Sequence, residues 1–422
     1  MTTMTTGVWI RAIAVGGLAL AMAACATTPG VAPRVEEVAA LIDRHHGIDH
    51  ASDAVAAAAC DAMLAALDPY SVRIPPAEWA SYLESIEGHF GGIGLRVNEP
   101  RAGEPYVVRS VLAEMPAAAA GIVGGERLVA VDGRLCDGVP LAEFLRWLRG
   151  EPGSKVAIDL LAAGAMRRVE LVRMRIEAPT VFGAVCEPDR RMRHRLPGTA
   201  VGYVRITSFT EPTAAEFARA LAAARGEGCR ALIVDLRTNG GGLAASAIAL
   251  ADQLLDGGEV VRFVGRDDEK RHVATPGGEL ELPLALLVGP QTASAAEVLA
   301  AALQDHRRAV VVGARSFGKG SAQRLFPLQH GGGLKLTVER WLRPSGGSIE
   351  RRAGGDAERG GIWPDGGLAV ELSPAEWESA VAELEALADA AEELATEPRP
   401  LLPADDPVVA RAIAWLSLPK SG

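Results

Sequence analysis

Ser294 is a residue whose type and surroundings suggest nucleophilic chemistry. It lies between a buried apolar run and an Ala-rich helical pattern, with Glu297 three positions later. A hydroxyl at a strand-to-helix turn is exposed at a sheet edge, where backbone N–H groups and the helix dipole favour negative charge. The same spacing fits a capping box, in which the hydroxyl only caps the helix. No G-x-S-x-G motif surrounds Ser294 and no His is recognisably paired with it, so a nucleophile here needs another base.

Lys319, between Gly318 and Gly320, is the candidate base. A neutral hydroxyl attacks poorly without a base, and a Lys acts as a base only when burial lowers its pKa. The apolar run at 309–313 could deliver Lys319 to the interior. Two alternatives compete: an exposed turn lysine, and a phosphate loop, since Gly313, Gly318 and Lys319 fit G-x-x-x-x-G-K. Gly320 stands where such a loop needs Ser or Thr, which argues against nucleotide binding.

Two glycine-rich segments could bind negative groups. Segment 235–243 ends a buried strand with Gly240, Gly241 and Gly242, whose N–H groups could form an anion hole. Segment 91–97 runs into a strand, and its amides could hold a peptide carboxylate while the strand pairs with the peptide. For each segment the simpler interpretation is a glycine turn needed only for geometry.

The order of elements around these residues predicts three regions. Residues 35–67 read as helical, and a break follows at Asp68. From Gly88 short strands and turns alternate to about Arg173, with short helices at 116–121 and 140–149. Beyond 178 the pattern is alternating α/β with buried strands of the parallel-sheet kind. Capping boxes are predicted to open helices at 213–216 and 373–376.

The N-terminal residues predict export rather than part of the fold. Arg11 precedes an apolar and Gly run at 12–24, which is shorter than the ~20 residues of a membrane span and fits a secretory signal. Segment 22–25 resembles a bacterial lipobox, which predicts lipidation of Cys25. Ordinary signal-peptidase cleavage nearby is the alternative.

Composition excludes several classes of protein. Hydrophobic residues make up 49% and charged residues 23% of the chain, which excludes wholesale disorder. A net charge of −10 and the lack of a basic stripe argue against nucleic-acid binding. The four cysteines after Cys25 are widely spaced without a CxxC pair, so a metal site is not expected and any disulfide pairing stays undetermined. They are Cys60, Cys136, Cys186 and Cys229.

Together these motifs resemble the C-terminal processing serine peptidases, also called tail-specific proteases. The resemblance covers about Val35 to Asp365 and keeps many motifs in the family's order. Ala296, Gly347 and an insertion at 351–360 depart from the family pattern. The matching segments are 67–71, 76–78, 92–95, 116–121, 132–133, 149–150, 202–209, 235–242, 293–297, 317–323, 343–346 and 361–365.

The resemblance implies a Ser-Lys dyad. The family separates its nucleophilic Ser from its base Lys by 25 positions, and here 319 − 294 = 25, which implies Ser294 as nucleophile and Lys319 as general base. By the same match Gln323 would orient the Lys amine and Asp305 would have a supporting role. No metal or cofactor is implied.

The resemblance also implies the groups that hold the substrate. The amide of Ala295, with one from Gly240 or Gly241, would form the oxyanion hole. A PDZ domain would bind an apolar C-terminal tail, and Arg149 would couple that binding to the active state. The tail-binding residues are Gly92, Ile93, Gly94 and Leu95.

The implied fold is a crotonase-like α/β protease core with an inserted PDZ domain and helical terminal segments. Expected partners are protein or peptide substrates with apolar C-termini, an activator or adaptor protein, and the membrane through an N-terminal lipid, in the periplasm. The alternatives are a non-catalytic PDZ scaffold or regulator and a carrier of an apolar small molecule. The expected segments are 1–24 (signal), 25–84 (helical), 85–175 (PDZ), 176–368 (peptidase core) and 369–422 (C-terminal helical).

Overall fold

The structure is a computed structural model, and the chain divides into two compact units, Met1–Ala62 and Met63–Gly422. The predicted signal segment 1–24 and Cys25 lie outside the described residues. The described part of the chain has no helix that is long and apolar enough to cross a membrane. The structure describes residues 35–36, 38, 40–42, 52–98, 104–112, 114–162, 164–177, 179–279, 281–351, 360–391 and 397–418.

Helical residues are found in two described segments of the N-terminal part. The described residues within 35–42 are helical, and α1 spans Ser52–Ala65. The chain turns at Asp68 and enters strand β1 (Val72–Ile74). Helix α2 (Pro76–Glu87) follows, with proline in its first turn, where the missing N–H costs no hydrogen bond.

A β-rich domain follows α2. Its six-stranded antiparallel sheet has the order β3-β4-β5-β7-β8, with β6 paired to β5, while β2 pairs separately with β9. The Tyr106 and Phe144 rings stack in its core with centroids 4.0 Å apart. The elements are β2 (His89–Gly92), β3 (Leu95–Val97), β4 (Tyr106–Val111), α3 (Pro116–Ala119), β5 (Arg127–Val131), β6 (Arg134–Leu135), α4 (Leu141–Leu148), β7 (Lys155–Ala162), β8 (Ala165–Val172) and β9 (Met174–Glu177).

A mostly parallel sheet forms the centre of the α/β part, in the order β10-β13-β14-β17-β18. Strands β13, β14, β17 and β18 run parallel, and β10 pairs antiparallel at one edge. The elements are β10 (Val181–Phe182), β13 (Val201–Ile206), α5 (Thr213–Gly226), β14 (Ala231–Asp235), α6 (Ala244–Leu254), β17 (Leu284–Val288), α7 (Ala295–Asp305), β18 (Ala309–Gly313), α8 (Pro374–Ala391) and α9 (Pro407–Leu416).

Helices cover both faces of this sheet. Val204 and Val234 pack in a cluster with residues of α5, α6 and α7. Tyr203 and Ile233, one position earlier in each strand, pack on the other face against α8 and α9. Burial on both faces explains why these strands are continuous apolar runs in the sequence.

A second, antiparallel sheet packs beside the first. Its order is β1-β20-β15-β16, and β19 also pairs with β20. Most residues of β19 and β20 are only half-buried, so these strands lack the apolar runs of the central sheet. Its remaining elements are β15 (Gly258–Val264), β16 (Glu269–Ala274), β19 (Ser321–Pro327) and β20 (Gly333–Leu342).

A small third sheet pairs a strand near the C-terminal end of the chain with strands at 185–193. Strand β11 (Val185–Cys186) pairs with β12 (Met192–Arg193) and with β21 (Arg399–Pro400). The four described cysteines are free thiols. Burial raises the pKa of the Cys136 thiol to about 11, so this cysteine is a small buried hydrophobe at neutral pH.

The structure corrects two details of the sequence analysis. The predicted capping box at Thr213 does not form. Glu216 instead accepts hydrogen bonds from the backbone and hydroxyl of Thr180, and the Thr213 hydroxyl accepts from Thr210 N. The predicted boundaries of the β-rich domain at 85 and 175 fall inside α2 and β9, because the pairing of β2 with β9 extends the domain to Glu177.

Candidate active site

Ser294 lies on a strained turn between β17 and α7. Its φ and ψ are 55° and −118°, a conformation that residues with a side chain rarely adopt. Thr292 holds the turn, since its hydroxyl donates to Leu236 O at 2.8 Å and accepts from Gly289 N at 3.0 Å. The nucleophile elbow of α/β-hydrolases has the same strand–turn–helix placement, although its sequence motif is missing here.

Gly241 permits the glycine loop after β14 to approach this turn. Its φ is +109°, and a Cβ at this position would lie 2.8 Å from Ser294 Cβ and 2.9 Å from Ala293 O. Ala293 N in turn donates to Asn239 O at 3.0 Å. A glycine is therefore required here by both backbone conformation and space.

The carboxylate of Glu297 joins the nucleophile turn to the segment of the candidate base. Its Oε2 accepts from Ser294 N at 2.8 Å and from Lys319 N at 2.9 Å. Its Oε1 accepts from Gly318 N at 2.7 Å and from Ser316 Oγ at 2.5 Å. The side chain is fully buried. Burial raises the pKa of this carboxyl, although each of the four hydrogen bonds lowers it.

Two glycines let the Lys319 segment pass close to Glu350, Arg351 and Gly361. Gly318 has a φ of +88°, and a Cβ there would lie 2.5 Å from Arg351 Cγ. A Cβ on Gly320 would lie 2.9 Å from a Glu350 carboxylate oxygen. The prediction that these glycines allow close approach and an unusual bend is confirmed.

Lys319 is half-buried, and burial lowers the pKa of its amine from 10.5 to about 8. The nearby charge of Lys335 lowers it further, while carboxylates of Glu350, Glu297 and Asp68 oppose the shift. At neutral pH a fraction of this amine is therefore unprotonated and able to accept a proton.

The amine of Lys319 lies over an aromatic ring. Its Nζ is 4.7 Å from the centroid of the Tyr70 ring. Within the described part of the chain, Nζ and Ser294 Oγ are not hydrogen-bonded to each other. A proton transfer between them requires that the amine come within hydrogen-bond distance of Oγ.

Gln323, predicted to orient the amine, lies on β19. Its Nε2 donates to Ser321 Oγ at 3.0 Å and to Thr337 Oγ1 at 3.1 Å. Thr337 Oγ1 donates to Asp68 Oδ1 at 3.1 Å. This network links Gln323 to the turn that carries Tyr70.

The three backbone amides predicted for the oxyanion hole differ in whether they already have a hydrogen-bond acceptor. Ala295 is the first residue of α7, a position whose N–H has no acceptor within the helix. Gly241 N donates to Asn239 Oδ1 at 2.8 Å, so this amide already has a partner. Gly240 is exposed on the same loop. The arrangement favours Ala295 with Gly240 over Ala295 with Gly241.

A buried ion cluster supports the glycine loop after β14 at its start. Arg237, 1% exposed, donates to both oxygens of Asp235 and to both oxygens of Asp406. The Tyr203 hydroxyl also donates to Asp235, at 2.8 Å. Burial raises the pKa of Asp235, but the charge and hydrogen bonds of Arg237 hold it below its ordinary value.

Asp305, predicted to have a supporting role, ends α7. It accepts from the Arg343 guanidinium at 2.6 to 3.1 Å and from Ser345 N at 2.9 Å. Burial raises the pKa of Asp305, while the bonds from Arg343 and Ser345 hold it below its usual value. Asp305 thus anchors the segment that follows β20.

The predicted tail-binding segment borders the edge strand β3. Gly94 has a φ of +80°, and its carbonyl accepts from Leu112 N at 2.9 Å. Ile93 is 2% exposed, so its side chain belongs to the domain core, and its carbonyl accepts from Ala117 N at 2.9 Å. An edge strand offers unpaired backbone groups to an added peptide strand.

Arg149, predicted to couple tail binding to activity, caps α4 at the end nearest α2. Its guanidinium lies 4.4 Å from the centroid of the Phe90 ring. Burial raises the pKa of Glu84, on α2, and the nearby charge of Arg149 opposes that rise. Arg149 therefore contacts Phe90 within the β-rich domain, and its charge lies near enough to Glu84 on α2 to act on that carboxyl.

Several residues of the site were not assigned roles by the sequence. Glu297 was interpreted only as half of a capping box, although its spacing from Ser294 was visible. Tyr70 and Asp68 belong to a recognised motif without a stated role. Thr337 carried no signal, because its partners lie far away in the sequence.

Comparisons with known proteins match this geometry to a family. The model of peptidase family S41 matches residues 200–365, and a PDZ domain model matches residues 107–161. A carboxy-terminal-processing protease of Bartonella bacilliformis is 33% identical over 69% of this chain and 66% of its own length. A carboxyl-terminal-processing protease of Synechocystis is 32% identical, over 73% of this chain and 69% of its own.

The chain thus spans about two thirds of the length of these relatives. A solved structure titled photosystem II D1 C-terminal processing protease is 31% identical, covers 76% of this chain and 82% of its own, and has a TM-score of 0.44. The family model falls on the α/β part, and the PDZ model falls on the β-rich domain. The chain belongs to peptidase family S41, as a serine-type peptidase that carries a PDZ domain.

Proposed function

We propose that the protein is an exported endopeptidase that binds apolar C-terminal tails through its PDZ domain and cleaves with the dyad Ser294 and Lys319. One observation carries this proposal. The buried carboxylate of Glu297 accepts hydrogen bonds from the backbone N–H groups of both Ser294 and Lys319. A strained hydroxyl turn and a lysine with a lowered pKa are thereby held side by side, which is what a Ser-Lys dyad needs.

Acylation begins with rotation of the neutral Lys319 amine towards Ser294. The amine takes the hydroxyl proton as Oγ attacks the scissile carbonyl carbon. The carbonyl π electrons move to oxygen, and the N–H groups of Ala295 and Gly240 stabilise this oxyanion. The C–N bond then breaks, the ammonium of Lys319 gives its proton to the leaving nitrogen, and an ester to Ser294 Oγ remains.

Deacylation repeats these steps with water. The neutral Lys319 amine takes a proton from a water molecule, whose oxygen attacks the ester carbon. The bond to Ser294 Oγ breaks, and the ammonium returns a proton to Oγ. The product carries a new carboxylate and the dyad is restored. No metal or cofactor takes part in this mechanism.

Tail binding uses the PDZ edge. Amides of segment 92–95 hold the terminal carboxylate, and the tail pairs with β3 as an additional strand. Arg149 couples this binding to the peptidase through its contacts with Phe90 and its proximity to Glu84. An activator or adaptor protein acts at this same junction.

The proposed architecture is a crotonase-like core at 176–368 with an inserted PDZ domain and helical terminal segments. A parallel sheet with helices on both faces supports this arrangement. A signal at 1–24 and lipidation of Cys25 would place the enzyme in the periplasm, anchored to a membrane by its N-terminus. The apolar run at 12–24 supports export.

Cleavage of an unfolded test protein ending in Leu-Ala-Ala tests the proposal. Wild type should cleave it, whereas Ser294→Ala and Lys319→Ala should reduce the rate at least about 10³-fold, since each removes a partner of the dyad. Exposed residues of the same types supply matched controls: Ser85→Ala and Lys270→Ala should cleave as wild type does. Proteolysis that persists in pure Ser294→Ala would contradict the assignment.

The scaffold alternative is tested with the same substrate. A peptide ending in Leu-Ala-Ala should bind to Ser294→Ala as tightly as to wild type, and its C-terminal carboxamide should bind at least about tenfold more weakly. Tail binding by an enzyme that cleaves nothing, with or without candidate activators, would favour the scaffold.

A further inference from the structure

Tyr70 faces the amine of Lys319 from a part of the chain far from both dyad residues in sequence. The ring centroid lies 4.7 Å from Nζ, within the distance at which an ammonium is attracted to an aromatic face. Tyr70 follows α1 and precedes β1, so it belongs to the turn at 67–71. Nothing in the mechanism above uses this turn.

The turn is held rigidly in place. Asp68 Oδ1 accepts from Tyr70 N at 2.7 Å and from Ser71 N at 2.9 Å, and Asp68 Oδ2 accepts from Ser71 Oγ at 2.7 Å. Burial raises the pKa of Asp68, but these bonds outweigh it, so the carboxyl is ionised at neutral pH. An ionised Asp that accepts two backbone N–H groups fixes the backbone of the turn from which the Tyr70 side chain projects.

The turn is also fastened to β20. Thr337 N donates to Ser71 Oγ, and Thr337 Oγ1 donates to Asp68 Oδ1, both at 3.1 Å. Thr337 lies opposite Gln323 in the pairing of β20 with β19, and Gln323 donates to its hydroxyl. The ring of Tyr70 is therefore placed by the same strand pair that follows Lys319 in the chain.

The ring acts on the amine as a neutral aromatic face. Burial and the carboxylates of Glu350, Glu297 and Asp68 raise the pKa of the Tyr70 phenol, so it carries no charge at neutral pH. The ionised groups acting on Lys319 come from four directions. They are Lys335 on β20, Glu350 after β20, Glu297 on α7 and Asp68 in the turn itself.

We propose that Tyr70 is a positioning residue whose ring face holds the Lys319 ammonium between proton transfers, beside Ser294. The proposal rests on the proposed function, because it gives the ring a role towards the base of the dyad. The ring stabilises the charged form of the amine, whereas burial of the amine stabilises the neutral form. Tyr70 thus sets how readily the Lys319 ammonium gives up its proton and how readily the amine returns to the ring face once it is protonated again.

Two substitutions distinguish the effect of the aromatic ring face on the amine from the apolar cover that any large side chain would provide. Tyr70→Phe keeps both the face and the cover, whereas Tyr70→Leu keeps apolar cover but lacks the face. The pKa of Lys319 should stay near 8 in Tyr70→Phe. In Tyr70→Leu it should fall by roughly half a unit to one unit, because the charged form loses its aromatic partner.

Competitive labelling with acetic anhydride measures this pKa without proteolysis. Only a neutral amine reacts, so the pH dependence of acetylation at Lys319, followed by peptide mass spectrometry in a Ser294→Ala background, reports its titration. The chain has few lysines, which makes the mapping unambiguous. They are Lys155, Lys270, Lys319, Lys335 and Lys420.

The kinetic readout is the position of the acidic limb of the pH profile of kcat/KM, measured with Ser294 intact. In Tyr70→Leu this limb should move to lower pH by the same amount as the labelling curve, and in Tyr70→Phe it should stay. A role confined to folding would change the height of the profile and leave the limb in place. Coinciding curves for Tyr70→Leu and Tyr70→Phe would overturn the proposal.

A second tyrosine–lysine pair supplies the control. The Tyr82 ring centroid lies 5.9 Å from Lys335 Nζ, on α2 and β20 respectively. Tyr82→Leu should leave the labelling curve of Lys319 unmoved, and an equal shift there would also overturn the proposal. If no variant or wild type cleaves substrate, the proposed function fails, yet the labelling curves still decide the role of Tyr70.

Discussion

At the scale of single residues, Glu297 does more than begin a helix. A carboxylate with both oxygens accepting two donors each can hold two chain segments at a fixed separation. Here the two segments carry the hydroxyl and the amine of the proposed dyad. Because Glu297 is fully buried, no water molecule is at hand to replace its carboxylate as the hydrogen-bond acceptor of these donors.

Glu297→Gln should weaken both fold and catalysis. A carboxamide presents an NH₂ group to backbone N–H donors, so at least one buried donor loses its acceptor. We expect the free energy of unfolding to fall by about 2 kcal/mol and kcat/KM to fall at least about tenfold. Urea denaturation and cleavage assays measure the two effects.

The matched control is Glu383→Gln, an exposed residue on α8. It should change neither quantity measurably, because an exposed carboxylate keeps its water. Wild-type stability and activity in Glu297→Gln would show that the carboxylate does not hold the dyad together.

At the scale of elements, the turn between β17 and α7 stores strain at the nucleophile. A non-glycine residue at φ 55° and ψ −118° costs of order 1–3 kcal/mol. The buried strand before it and the buried helix after it supply the packing that tolerates this cost. The half-buried side chain of Ser294 lies at the junction of the two elements.

Ser294→Gly should be more stable than Ser294→Ala. Glycine adopts positive φ freely, whereas alanine keeps the strain, and the entropy cost of glycine offsets only part of the gain. We expect a difference of about 1 kcal/mol in the free energy of unfolding, measured by urea denaturation. Both variants should be inactive, so the comparison isolates the backbone. Equal stability would mean that the turn is relaxed.

The sequence predicted the elements that hold buried apolar runs and missed those that do not. Strands β13, β14, β17 and β18 belong to the alternating α/β pattern with buried strands that was predicted beyond 178. Strands β15, β16, β19 and β20 were not predicted, because half-buried antiparallel strands mix polar and apolar residues. Ser294 and Lys319 were named as candidates from local motifs and a fixed separation. The roles of Glu297, Thr337 and Tyr70 depend on contacts between distant segments, which local patterns do not contain.

At the scale of the whole molecule, the ion cluster of Arg237 joins the loop at 237–243 to the C-terminal helix α9. This loop carries the proposed oxyanion-hole amides and is called the oxyanion loop below. Asp406 caps α9 by accepting from Val408 N and Val409 N, and it also binds both terminal nitrogens of Arg237. Arg237 lies three positions before Gly240 in the chain. The position of α9 and the position of the loop are therefore linked through one buried guanidinium.

Asp406→Asn should destabilise the enzyme and impair catalysis. Asparagine still caps a helix well, so the change removes mainly the charge that faces Arg237. Breaking a buried ion pair costs about 3 kcal/mol in the free energy of unfolding, and kcat should fall because the oxyanion loop loses its support. Urea denaturation and the steady-state rate of cleavage report the two effects.

Asp405→Asn supplies the comparison, since this neighbouring aspartate is exposed. It should behave as wild type in both measurements. An Asp406→Asn enzyme with undiminished kcat would separate the C-terminal helices from the oxyanion loop and leave their contact a matter of stability alone.

The link between Arg237 and Asp406 has a consequence for the stage of chain synthesis at which the enzyme becomes active. Asp406 is made 169 residues after Arg237, so a growing chain holds the strand and glycine loop long before their second carboxylate exists. Until then the guanidinium has only one of its two carboxylate partners, and the loop lacks its final support. We therefore expect the enzyme to become proteolytically active late, after synthesis has passed Asp406, so that an unfinished copy cleaves the proteins around it poorly.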